Sequence, residues 1–516
     1  MIDTKALRQK ILDMAIKGKL VPQDPNDEPA SVLLEHIRAE KQQLIKEGKI
    51  KKDKNDSVIF KGADNRYYEK VGSEVKDITD DLPFEIPDSW VWTRFSTLIQ
   101  IISGVSYDKK DVATKGIRIL RGGNINDLKV SLFSDDVFLP ETYYDPDKQI
   151  QIDDVLIVAS TGSKEVIGKA GYVIEPLVNT QIGAFLRIVR PILKWYAPYV
   201  KLIFATEYYR EHIRHLSGGT NINNIKADYI NALIISLPPY AEQIRIAERI
   251  NSLFEQINII EQSQTDTDTL YKEFIKRTLT LAIQGKLVPQ DPNDEPANVL
   301  LERIRAEKKA KLGKKYVDSY IYKSDDNCYY EKVKDSVKEI SAEIPFDVPE
   351  SWQWIRIDNL FQHNTGKALN SSNTKGILHP YITTSNVYWG HFCLDCVKEM
   401  PFTEDEFSKC SIVPGDLLVC EGGDVGRAAI WEKDIPMCIQ NHIHRLRAYY
   451  PVCIQFYYFA FFVYKSIGLI GGKGIGIQGL SSGALGKLIF PLPPLAEQER
   501  IVKQVGIILE KLKDED

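Results

Sequence analysis

Downstream of Pro239 the apolar residues Ile246, Ile250, Leu253, Ile257 and Ile260 recur at steps of four, three, four and three. That is the spacing that keeps one seam of a helix apolar. Ile501, Val505, Ile508 and Leu512 repeat the steps in the same phase near the other end of the chain. A second pattern, Leu7, Leu12, Ala15 and Ile16, returns as Phe274, Leu279, Ala282 and Ile283. If residues 241–286 form one helix, it spans about 65 to 70 Å at roughly 1.5 Å per residue. The polar run Gln262 to Thr269 crosses the seam and is a candidate break. Prolines at 22, 25 and 29, and again at 289, 292 and 296, turn the chain. After them Val32 to Lys41 and Val299 to Lys308 read as short amphipathic return helices. The most apolar stretch, Val452 to Tyr464, is shorter than the roughly 20 residues needed to cross a bilayer and reads as a buried helix.

These paired patterns belong to a long internal duplication. Gly18 to Ala30 recurs unchanged as Gly285 to Ala297, an offset of 267 (285 − 18). Ile86-Pro-Asp-Ser-Trp90-Val-Trp92 returns as Val348-Pro-Glu-Ser-Trp352-Gln-Trp354, now at 262 (352 − 90). Beyond the tryptophans only landmarks persist: Ser103-Gly104 against Thr365-Gly366, Asn124 against Asn386, and Asp154-Val-Leu-Ile against Asp416-Leu-Leu-Val. Identity resumes at Leu237-Pro-Pro-Tyr-Ala-Glu-Gln243 and Leu492-Pro-Pro-Leu-Ala-Glu-Gln498, offset 255 (492 − 237). The layout is constant, variable, constant, variable, constant. Joined end to end, the C-terminal and N-terminal helices rebuild the central one almost completely, which leads us to expect a closed molecule in which they lie together. The fold class is α+β, with two globular modules separated by long antiparallel, coiled-coil-like helices in a pseudo-two-fold internal repeat.

Composition narrows the chemistry. At 516 residues, 27% charged and 43% hydrophobic, the chain has material for two or three domains with real cores. Its first residues lack the apolar core of a signal peptide, and a cytoplasmic protein is expected. All seven cysteines lie in the second half, an odd number that fits reduced thiols better than disulfides. Cys393-Leu-Asp-Cys396 has no second closely spaced pair to complete a zinc site, so no metal is expected. A net charge of −5 works against DNA binding, because Lys and Arg usually neutralise phosphates.

Three motifs that carry catalysis elsewhere fail on inspection. Leu237-Pro-Pro-Tyr240 resembles an amino-methyltransferase box, but leucine cannot accept a hydrogen bond from a target amine, and its repeat has Leu495 in place of the tyrosine. Gly474-Ile-Gly-Ile-Gln-Gly479 fits GxGxxG without a compact strand-turn-helix unit around it. Gly162 to Ala170 is one residue too long for a P-loop and ends on alanine where Mg²⁺ coordination needs Ser or Thr.

With its repeated Leu-Pro-Pro-x-Ala-Glu-Gln lead into a helix, its Gly-Lys-Leu-Val-Pro turn and its Ile/Val-Pro-x-Ser-Trp module start, nearly the whole chain resembles the specificity subunits of type I restriction-modification enzymes. The resemblance implies an N-terminal conserved helical region (1–48), a lead-in (49–83), a first target recognition domain (84–238), a central helical spacer (239–313), a second lead-in (314–345), a second recognition domain (346–493) and a C-terminal helix (494–516). It further implies that each recognition domain reads one half of a split double-stranded DNA site while the helices fix the spacer. The chain itself is then not an enzyme and holds no cofactor. Two modification subunits carry S-adenosylmethionine and the methylation chemistry, and motor-nuclease restriction subunits use ATP and Mg²⁺. The rival readings are a self-contained methyltransferase or restriction protein and a coiled-coil scaffold without sequence specificity.

Base edges are read by forked donors and amides, and phosphates by cations, hydroxyls and backbone N–H groups. In the first module the polar, glycine-containing loops supply Lys109, Lys110, Arg118, Arg121, Asn124, Asn126, Lys164, Thr220, Asn221 and Asn223. In the second they supply Lys367, Asn370, Thr383, Asn386, Arg427, Asn441, Lys473 and Gln478. Trp90, Trp92, Trp352 and Trp354 read as core rather than as base-stacking platforms.

Overall fold

Helix α1, Thr4–Ile16, starts where the Asp3 carboxylate accepts the Ala6 N–H at 2.9 Å. It stops at Gly18, whose φ of +67° lets the Lys19 N–H reach back to the Met14 carbonyl at 2.9 Å. A side chain at Gly18 would also strike the Pro87 ring, so glycine is demanded twice. Gly285 repeats the device, with φ +69°, a Lys286 N–H to Leu281 carbonyl bond of 2.9 Å and Pro349 in the way. The computed structural model describes residues 1–50, 56–126, 128–216, 223–369, 375–471 and 480–514. It divides into two units, Met1–Gln264 and Thr265–Asp516.

In the first unit α1 is followed by α2, Ala30–Lys46. The lead-in after it is a folded element rather than a bare linker. Strands Ser57–Lys61, Tyr67–Val71 and Glu74–Asp77 form an antiparallel meander, and Ile59 packs with Ile78, Trp92 and Ile234. The recognition module opens and closes on one ribbon, in which Val91–Arg94 pairs antiparallel with Ile234–Leu237. Its interior is a six-stranded sheet in the order Ile99–Ser103, Leu186–Pro191, Val155–Val158, Ala170–Tyr172, Leu128–Val130, Ile125–Asn126. A smaller sheet of Thr180–Ile182, Ile117–Leu120 and Val137–Leu139 lies beside it in sequence, and helices α3 (Ala197–Ala205), α4 (Glu207–Leu216) and α5 (Ala227–Asn231) complete the module.

The chain then runs into α6, Tyr240–Ile283, an uninterrupted helix of 44 residues. The polar run expected as a break does not break it. Backbone bonding continues through 262–269, and the Thr269 hydroxyl adds a bond to the Thr265 carbonyl at 2.9 Å.

In the second unit α7 (Ala297–Leu312) precedes the same meander, Ser319–Lys323, Tyr329–Val333 and Ser336–Glu339. The module again opens and closes on one ribbon, Gln353–Arg356 with Ile489–Leu492. It holds a four-stranded sheet of Phe361–Thr365, Ile443–Ala448, Leu417–Cys420 and Ala428–Ile430, and a three-stranded one of Lys398–Phe402, Ile377–Ile382 and Cys438–Ile439. Helices α8 (Ile357–Leu360), α9 (Glu404–Cys410), α10 (Ile454–Ser466), α11 (Ser482–Gly486) and α12 (Leu495–Asp514) complete it. The apolar stretch read as a buried helix is α10, with Phe456, Tyr457, Ala460 and Phe461 all inaccessible. Among the described residues no helix is long and apolar enough to cross a membrane.

Each unit owns a complete helix pair. In the first, Leu12, Ala15 and Ile16 of α1 share an apolar cluster with Ile246, Ile250 and Ile257 of α6. Arg8 reaches Asn258 at 2.6 Å and Glu261 at 3.1 Å. In the second, Leu279, Ala282 and Ile283 of α6 share a cluster with Ile501 and Val505 of α12. The unit is therefore helix, module, helix, and α6 fuses the last helix of one copy to the first helix of the next. This tandem arrangement by itself makes the two chain ends add up to a second central helix.

The constant motifs meet at one point in each unit. The Trp90 indole N–H donates to Glu242 at 2.8 Å, Gln23 donates to the other oxygen of that carboxylate at 2.6 Å, and Arg245 pairs with Asp27. The Trp352 indole N–H donates to Glu497 at 2.8 Å, with Gln290 and the Arg500–Asp294 pair in the same places. Burial raises both glutamates above the usual carboxylate range. All four tryptophans of the module starts are at most 3% exposed, as core residues.

Candidate nucleic-acid interface

The strand Leu186–Pro191 and its counterpart Ile443–Ala448 have the same length, at an offset of 257 (443 − 186). The turn preceding each strand gathers the variable loops. In the first module the Val105 N–H donates to the Ile182 carbonyl at 2.8 Å, and the Gly183 N–H to the Leu120 carbonyl at 2.9 Å. The Phe185 carbonyl accepts the Ala159 N–H at 2.8 Å and the Ser160 N–H at 3.1 Å, and Ser160–Thr161 pairs with Asn223–Asn224. The loops that follow residues 103, 120, 160 and 182 thus converge. In the second module Lys367 bridges Gln440, the Asn441 N–H donates to the Lys367 carbonyl at 3.0 Å, and the Glu421 N–H to the His442 carbonyl at 2.9 Å. Gly104 and Gly366 occupy the crossing point. A methyl on either would overlap the carbonyl oxygen of Gly183 or Ile439, which explains why this glycine survived the divergence.

The eighteen candidate side chains separate into three groups. Lys109, Lys110, Arg121 and Lys164 are exposed on the loops of the first module, and Lys110 lies 3.8 Å from Asp108. Asn126 is exposed and turned to the Gly123 carbonyl at 3.0 Å. Asn441 is half-buried and accepts from Gln440 at 2.6 Å.

The second group builds the scaffold. Asn124 is 2% exposed; it accepts the Arg121 N–H at 2.7 Å and donates to the Ser131 carbonyl and Asp136. Asn386 repeats this, accepting the Thr383 N–H and hydroxyl and donating to the Cys393 carbonyl at 3.0 Å. With their amides engaged inward, Asn124 and Asn386 lock turns and present nothing to a base; Thr383 belongs to that turn. Arg118 pairs with Asp136 at 2.8 Å. Lys367, 9% exposed, is held by Glu406 and the Pro401 carbonyl, both at 2.7 Å, and its ammonium lowers the Glu406 carboxyl. Arg427 donates to the Thr384 carbonyl at 2.6 Å and lies over the Tyr388 ring.

The third group, Thr220, Asn221, Asn370, Lys473 and Gln478, lies outside the described residues, as does the glycine-rich run 474–479. Asn223 is described only by its backbone pairing with Thr161. Sequence reasoning missed Phe185, which is 68% exposed. Carrying His442 back by 257 residues lands on it, but that offset becomes visible only once the strands are paired. Among the described residues no three His, Cys, Asp or Glu side chains are placed to hold a metal ion.

One scaffold used twice, with its loops gathered at one place and their chemistry changed between the copies, is the build of a two-module recognition protein. The family described as type I restriction modification DNA specificity domain matches residues 87–266 and 349–514. The specificity subunit of the type I restriction enzyme EcoAI from Escherichia coli is 26% identical over 98% of this chain and 89% of its own length. That of EcoKI, from Escherichia coli strain K12, is 24% identical over 82% of each chain. A solved chain from work on complex assembly and conformational transition of the type I R-M system aligns with a TM-score of 0.54 at 16% identity, covering 84% of this chain and 93% of that one. The chain belongs to this family of type I restriction-modification DNA specificity subunits.

Proposed function

We propose that each module reads one half of a split, asymmetric DNA site and that the helices set the unread spacer and dock two modification subunits. The observation that carries this reading is the placement of the differences between the copies. The scaffold hydrogen bonds at Glu242 and Glu497, at Asn124 and Asn386, and at the Arg190–Asp154 and Arg447–Asp416 pairs are the same, while the loops that converge beside them are not. Two modules must meet the same face of B-DNA, whose turn repeats every ~34 to 36 Å, so a stiff element between them fixes half-site separation. A helix of 44 residues, about 66 Å long, suits that task.

The chain is then non-catalytic, and S-adenosylmethionine, ATP and Mg²⁺ belong to the modification and motor-nuclease subunits. With a net charge of −5, much of the phosphate neutralisation falls to those partners, while Lys109, Lys110, Arg121 and Lys164 supply a local share.

The test is to replace residues 92–237 by the corresponding segment of a relative, express the chain with its modification subunits and sequence the methylome. One half-site changes and the other stays. Alteration of both halves, or of neither, defeats the modular reading.

A further inference from the structure

The turn that gathers the loops ends on a ring in both modules: Phe185 in the first, 68% exposed, and His442 in the second, with 56% of its side chain exposed. The backbone around the two is the same. The Leu186 N–H donates to the Gly183 carbonyl at 2.9 Å, and the Ile443 N–H to the Gln440 carbonyl at 2.9 Å. The carbonyl of each ring-bearing residue accepts the N–H of the neighbouring loop, from Ser160 at 3.1 Å or Glu421 at 2.9 Å. Position and backbone frame have been kept through the divergence while the chemistry of the tip has been exchanged, an apolar ring for one that donates and accepts hydrogen bonds.

Resting on the reading of the modules as DNA readers, we propose that Phe185 and His442 are matched base-contacting residues. Phe185 makes an apolar contact with a thymine methyl group or base face, and His442 makes a hydrogen bond to a purine edge. Three observations carry this beyond simple exposure. Leaving a phenyl ring in water forgoes burial that a folded module would otherwise use, and the ring stands between half-buried Ala184 and buried Leu186. The turn is tied into the loops that carry exposed cations, Arg121 after residue 120 and Lys164 after residue 160, so a polyanion drawn to those charges meets the ring. The major groove offers both complementary surfaces, the C5-methyl of thymine to an apolar side chain and the N7 and O6 of guanine, or N7 of adenine, to a donor. An occupant that combines negative charge with apolar and hydrogen-bonding edges at fixed spacing is duplex DNA.

The closing experiment uses the full chain expressed with its modification subunits, with the methylome as readout. Phe185→Ala relaxes one base-pair position in the half-site that the 92–237 exchange alters, with discrimination at that position falling roughly tenfold or more. Phe185→Leu keeps part of the discrimination, Phe185→His shifts the preferred base pair, and none of the three touches the other half-site. His442→Ala acts on that other half alone. Because both rings are exposed, an unchanged melting temperature confirms folding. If both alanine variants leave every position as strict as before while the segment exchange still switches one half-site, this proposal falls and the modular reading stands. If the segment exchange itself changes nothing, that reading falls first. Weaker co-purification of the Phe185→Ala chain with its modification subunits, with the motif unchanged, assigns the ring to a protein contact and overturns the proposal.

Discussion

In the first unit, α3 and the first half of α6 leave a cavity of about 360 Å³ lined by Leu12, Leu128, Lys201, Ala205, Ile246 and Phe254 among others. In the second unit, the offset of 257 carries Lys201 to Tyr458 and Ala205 to Phe462, and Trp389 lies against both rings, at centroid distances of 6.1 and 5.2 Å. At the corresponding helix positions one copy carries aromatic rings packed on Trp389, and the other a lysine and an alanine beside a cavity. The two units also part at a pair of diagonally placed positions on neighbouring strands. His363 and His444 contact each other at 2.9 Å in the second unit, where the first has Ile101 and Arg187. Divergence has been tolerated wherever volume or hydrogen bonding is compensated locally. At the meeting point of the constant motifs, where three segments share one carboxylate, it has not.

The comparison breaks most visibly if that meeting point is removed. Trp90→Ala and Trp352→Ala are each expected to destabilise their unit by about 4 kcal/mol, through lost burial and an orphaned glutamate, and by equal amounts if the units are equivalent. Chemical denaturation followed by unit-resolved hydrogen exchange measures both.

A somewhat smaller effect separates the units by pH. Burial, aided by the neighbouring His444, pushes His363 down to about 4. The unfolded chain takes up its proton near pH 6.5 while the folded one resists, so the contribution of His363 is fully present above pH ~6.5 and is lost as pH falls toward 4. The expected loss from His363 is up to about 3 kcal/mol and is abolished by His363→Leu, while in the first unit burial lowers His212 in the same direction. The raised glutamates Glu242 and Glu497 act in the opposite direction and in both units alike, since their protonation at low pH relieves a burial penalty. Hydrogen exchange at pH 7 and pH 5 therefore finds the second module opening earlier; equal opening of both would remove the histidine pair from the account.

Trp389→Ala follows, costing about 2 to 3 kcal/mol by opening a cavity in the second unit. Smallest is the reverse change. Ala205→Leu partly fills the first unit's cavity and is expected to stabilise it by up to about 1 kcal/mol, read as a rise in melting temperature.

How far the interface was legible depends on what each residue does for the module. The candidate loops were found because polar, glycine-containing segments sat at matching positions of a diverging repeat, and among the described residues those after 103, 120, 160 and 182 meet. Asn124 and Asn386 were chosen for the wrong property. A residue that persists through divergence is held by the scaffold, and their amides are bonded inward. Phe185 escaped because the loss of residues within the variable stretch changes the offset from 262 to 257, and only strand register restores the match. The break expected in α6 failed for another reason. Serine and threonine weaken a helix without removing its backbone bonds, and a seam interrupted by polar residues is no obstacle to a helix.

By itself the sequence determined the duplication, the helix seams, the burial of the paired tryptophans and the family, because periodicity and repeated motifs are local properties written in residue order. The tertiary structure alone decided which loops meet, which of their side chains face outward, that each unit closes on its own helix pair and that one unit holds a cavity and the other an aromatic cluster. Those facts depend on register and packing between segments far apart in the chain, where a hydrogen bond between two carbonyl-bearing turns outweighs any resemblance between the residues that make them.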